Sequence, residues 1–84
     1  MHYDQEQIAE LNILLQFSLD TTQLGIKVHS NANSENIAAV QRLFEKELVT
    51  HADGGYLTEL GRVAAEHAQS LLLILAPHYE SMAS

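Results

Sequence analysis

An α-rich α+β domain is the fold class this 84-residue chain predicts, and three observations carry that prediction. Apolar residues recur at helical spacing in three separate stretches. Between the second and third lie two short runs, Leu48–Thr50 and Gly55–Thr58, on either side of an Asp53-Gly54-Gly55 turn. Glycine supplies the positive φ that a tight hairpin turn requires, so these runs read as a β-hairpin. A further run, Ile26-Lys27-Val28-His29, alternates apolar and polar residues and suits a short strand with one buried face.

In chain order, Asp4-x-x-Gln7 has capping-box form and opens a first helix reaching about Ser18. Ile8, Leu11, Leu14 and Leu15 occupy one side of it, with Ile13 and Phe17 roughly opposite, so this helix is apolar on more than one face. Asp20-x-x-Gln23 repeats the cap pattern, but Gly25 stops that segment after about one turn. After the alternating run, Ser30 to Asn33 is a polar loop, and Asn33 or Ser34 caps a second helix running to about Glu47. Its apolar stripe is Ile37, Val40, Phe44 and Leu48 with Leu43 on the flank, and its solvent side carries Glu35, Ala38, Ala39, Arg42, Glu45 and Lys46. Thr58 is a good N-cap for the last helix, Glu59 to about Ala76, which Pro77 ends. Leu60, Val63, Ala64, His67, Leu71, Ile74 and Leu75 form the expected inner stripe of that helix, and Leu72 and Leu73 point elsewhere. Residues 1–84 read as one domain, with 78–84 a frayed tail.

Composition bounds the function. An apolar fraction of 46% is ample for a core, and one proline with four glycines argues against a disordered chain. Absence of cysteine excludes disulfides and thiolate chemistry. Met1-His2-Tyr3 leads straight into Asp4 and Glu6 rather than a basic leader, and the longest apolar run, Leu71 to Ala76, is far short of the roughly 20 residues that span a bilayer. The expectation is a soluble, cytoplasmic protein with no membrane contact. Eleven acids against four bases, Lys27, Arg42, Lys46 and Arg62, leave a net charge of −7. Even with all five histidines protonated the chain stays negative, and a field of that sign opposes nucleic-acid binding.

No catalytic constellation stands out, so the expectation is a non-enzymatic protein without cofactor or metal. His2, His29, His51, His67 and His78 include no i,i+4 pair and no His-Glu-x-x-His, and there is no cysteine partner. His67 is expected as a core histidine on the apolar stripe. Glu6 and Glu10, one helical turn apart, read as a solvated face. Gly54-Gly55 lacks the lysine of a phosphate loop, and no Gly-x-Ser-x-Gly elbow exists.

Leu57-Thr58-x-x-Gly61, closing a strand and opening a long helix, resembles winged-helix transcriptional regulators of the PadR and MarR kind. Over its whole length the chain is similar to a small bacterial family of like size labelled DNA-binding, on the residues Gly25-Ile26-Lys27-Val28-His29, Asp53-Gly54-Gly55-Tyr56-Leu57-Thr58 and Ala64-Ala65-Glu66-His67-Ala68. The resemblance implies a winged-helix-like domain, a transcription-regulating role and double-stranded DNA as partner. It puts the recognition helix at Ser34 to Glu47. There Arg42 and Lys46, one turn apart, are the candidate phosphate contacts, with Lys27 in support and Gln41 as base reader. Glu35 and Glu45 share that face and oppose the bases, the hairpin tip carries His51 and Asp53 but no Arg or Lys, and a helix-turn-helix needs a turn of only 3–4 residues.

A second surface is legible beside the first. Leu71 to Leu75 encircles the last helix with apolar groups, which marks an interface more than a buried face. The expectation is a homodimer through Leu72 and Leu73, joined by Ile13 and Phe17. Two functions follow: a winged-helix-like DNA-binding regulator, or a winged-helix scaffold that has lost DNA binding and mediates protein–protein contact.

Overall fold

The computed structural model describes residues 1–77. Three helices and three short strands follow one another as α1 (Gln5–Leu14), β1 (Ile26–Lys27), α2 (Ser34–Glu45), β2 (Val49–His51), β3 (Gly54–Leu57) and α3 (Glu59–Leu75). The expected α-rich α+β class is what forms, and each helix begins where its cap was read. The Asp4 carboxylate accepts from the Gln7 N–H while the Gln7 side chain accepts from the Asp4 N–H. Asn33 caps α2 by accepting from the Asn36 N–H, and Thr58 caps α3 by accepting from the Gly61 N–H.

The strands form one antiparallel sheet in the order β1-β3-β2. Gly54 and Gly55 hold φ of 129° and 78°, as the turn chemistry demanded, although β3 starts at Gly54 rather than Gly55. Register slips between Val49 and His51. There the Thr50 hydroxyl accepts the Tyr56 N–H, taking over from the interrupted backbone ladder. On the other edge β1 pairs Ile26 with Gly55 and Lys27 with Gly54, and the Val28 N–H donates to the Asp53 carbonyl.

Two segments differ from expectation. α1 stops at Leu14 instead of Ser18, and a turn carries the chain on to Phe17, which is buried all the same. Asp20 to Leu24 forms no helical turn, because the Ser18 and Thr21 hydroxyls accept the Asp20 and Gln23 N–H groups locally.

The core unites Ile13, Leu14 and Phe17 with Ala39, Val40 and Leu43 of α2, Val49 of β2, and Ala65 and Ala68 of α3. Ile13 and Phe17 thus fill the interior, which corrects the expectation that they serve a dimer interface. Ala39, expected on the solvent side of α2, is completely buried, while Phe44 is more exposed than core. The largest correction concerns α3. Its buried face is Gly61, Ala65 and Ala68, and Leu60, Val63, His67, Ile74 and Leu75 lie on the surface. Small residues build the inner face because α3 comes in close: a Cβ on Gly61 would run into the Leu48 carbonyl. The Thr58 hydroxyl also donates to the Glu47 carbonyl, which fixes the start of α3 against the end of α2.

Candidate functional site

The first candidate surface is α2. Arg42 and Lys46 do lie one turn apart, but both are ion-paired, Arg42 partly buried and Lys46 about half exposed. Both converge on Glu10 of α1, whose side chain is only 8% exposed. Arg42 Nε donates to Glu10 Oε2 at 2.9 Å and Lys46 Nζ donates to Glu10 Oε1. A second guanidinium nitrogen of Arg42 reaches the Glu6 backbone carbonyl at 3.3 Å, and Glu6 itself stands 3.8 Å from the guanidinium. The hydrogen bond to Glu10, reinforced by the carboxylates of Glu6, Glu10 and Asp4, raises Arg42 above its ordinary range. Glu10 therefore corrects the reading of the Glu6–Glu10 pair as a solvated face. Its position one turn before Ile13 and Leu14 on the helix face that buries them was the available signal, because an acid there needs cationic partners.

The other sequence-level candidates fall elsewhere. Gln41 and Lys27 are exposed and line a shallow cleft between β1, α2 and the hairpin, together with His29, His51 and Asp53. Arg62 is committed to structure, donating to the Leu19 carbonyl. Gln69 donates to the Phe17 carbonyl at 2.8 Å and to that of Leu14 at 3.3 Å, so two polar residues of α3 hold the end of α1 and the segment that follows it to Leu19. Sequence periodicity gave no hint of either contact. Of the four Lys and Arg residues, Lys27 alone makes no hydrogen bond or ion pair among the described residues. Also among the described residues, no group of three or more His, Asp or Glu residues is placed to hold a metal ion.

The second candidate surface is α3. Leu72 and Leu73 are 51% and 73% exposed, as an interface requires, and Ile74 and Leu75 are equally open at 70% and 71%. Leu60 and Val63 extend the apolar surface toward the helix start. Ile13 and Phe17 contribute nothing to it, being core. His67 is exposed on the same side, contrary to its expected place in the interior.

A family described as one of unknown function (DUF5669) matches residues 1–76, and the chain belongs to it. No curated protein and no solved structure matches the chain. No helix among the described residues is long and apolar enough to cross a membrane.

Proposed function

We propose that this chain is a non-enzymatic, winged-helix-like regulatory module that works by protein–protein contact through α3 and has given up the electrostatic grip on DNA. One observation carries the choice between the two functions: both cations of α2 are spent on Glu10. An arginine and a lysine that share one buried carboxylate have half of their charge cancelled and their donors engaged, which weakens the counterion release that supplies most non-specific affinity for DNA.

The order α2, hairpin, α3 supports the winged-helix-like reading, with α2 in the place of a recognition helix and β2–β3 in that of the wing. No helix precedes α2 at the short spacing of a helix-turn-helix; β1 and the loop from Val28 to Asn33 stand there instead. That departure also favours a scaffold over a DNA reader. DNA binding survives as the second reading on one feature, the exposed Lys27 and Gln41 lining one cleft beside the hairpin.

Fluorescence anisotropy with labelled random duplex across a salt series separates the two. The expected result is no association even at about 10 mM salt, where the screening length is roughly 30 Å and attraction is strongest. Binding whose log–log salt slope falls by roughly 0.9 on Lys27→Ala would overturn the proposal in favour of DNA.

A further inference from the structure

The exposed stripe of α3 is self-complementary in a way that identifies its occupant. On a helix turning 100° per residue, Leu60, Val63, His67, Leu71 and Ile74 fall on one narrow face. Four of them are exposed and Leu71 is half-buried at the edge. The intervals along this face are three, four, four and three residues, the same in either direction from His67. Reversing the helix about His67 therefore sets Leu60 on Ile74, Val63 on Leu71, and His67 on itself.

We infer that a second copy of this chain covers the stripe, its α3 running antiparallel to the first about a two-fold axis at His67. This rests on the reading of α3 as the contact surface and names its partner. An isologous interface requires one patch to complement itself under a two-fold rotation, and a palindromic stripe satisfies that condition. Charge selects the antiparallel sense. All the formal charges of α3, Glu59, Arg62 and Glu66, lie in its first half, and Gln69 to Leu75 carries none. Parallel pairing would bring Glu59 level with its own copy and Glu66 level with its own. Antiparallel pairing brings Glu59 level with Leu75 and Arg62 level with Leu72, leaves Glu66 two residues from its own copy beside the axis, and opposes the two helix dipoles.

The absence of native cysteine makes cross-linking a clean test. His67→Cys should form a disulfide-linked dimer under mild oxidation, because the two copies meet at that residue. Leu60→Cys alone should not, since antiparallel pairing holds its two copies about 21 Å apart at 1.5 Å per residue. Mixed with Ile74→Cys, it should yield the cross-linked heterodimer. Val63→Asp, at an exposed position, should halve the mass measured by light scattering while leaving the circular dichroism spectrum intact. Efficient self-cross-linking of Leu60→Cys would overturn the antiparallel arrangement. A monomeric wild type at tens of micromolar would overturn the second copy as occupant. Neither result bears on the choice against DNA, which the anisotropy series decides separately.

Discussion

Glu47 is held where its residue type is a poor match for its backbone. Its φ is 64°, the left-handed region, immediately after α2. The Leu48 N–H donates to the Leu43 carbonyl at 2.9 Å and the Glu47 N–H to the Phe44 carbonyl at 3.0 Å, the paired bonds that close a helix through a left-handed residue. Glycine adopts that geometry without the Cβ penalty, so Glu47→Gly should stabilise the fold by about 0.5–1 kcal/mol. A rise in the urea midpoint at constant slope would show it. A fall would mean that the Glu47 side chain contributes more than its backbone strain costs. At this scale the sequence was most readable where one side chain bonds a backbone group a few residues away. Asp4, Asn33 and Thr58 all cap as read, and Gly54 and Gly55 take the positive φ expected of them, although in β3, with the turn itself at Ala52 and Asp53. Glu47 escaped because nothing local marks a non-glycine residue for the left-handed region.

At the scale of elements, helix existence was legible and helix orientation was not. Periodicity ranks faces by apolar bulk, whereas α3 turns its small residues inward and α2 buries Ala39 beside Val40 and Leu43. Ala39, Ala65 and Gly61 are buried since close helix approach leaves no room for more, and the bulky positions of α3 are left outside. The same blindness hid the contact between α1 and α2. Two cations on an exposed-looking stripe read as a phosphate site until their partner, thirty-odd residues away in sequence, came into view. The pairing makes unequal demands on the two bases. Arg42 has a side chain 24% exposed and bonds both Glu10 and the Glu6 carbonyl, whereas Lys46 is 53% exposed and bonds Glu10 alone. Arg42→Ala leaves the buried Glu10 carboxylate with only one cation and should destabilise the fold more than Lys46→Ala does. Lys46→Ala should cost no more than about 1 kcal/mol, as for a largely solvated pair. Denaturant titration of both variants checks the order, and equal losses would mean that Glu10 does not organise this interface.

For the molecule as a whole, the apolar stripe of α3 and the net charge of −7 pull in opposite directions. The charge keeps individual chains apart over a Debye length, while the stripe rewards one particular close contact once that distance is crossed. On the proposed pairing, self-association through α3 becomes part of folding stability, because a partner that binds only the folded state raises the melting temperature by mass action. Each tenfold rise in concentration adds about 1.4 kcal/mol per dimer, half of it for each chain. For a domain of this size that corresponds to an increase of roughly 3–6 °C in melting temperature. Differential scanning calorimetry over a hundredfold concentration range should show that increase for the wild type and none for Val63→Asp. Added salt should raise the wild-type melting temperature at a given concentration without changing that slope, since screening relieves repulsion between two acidic protomers and leaves the apolar contact intact. A wild-type melting temperature independent of concentration would place the whole stability of the fold within a single chain.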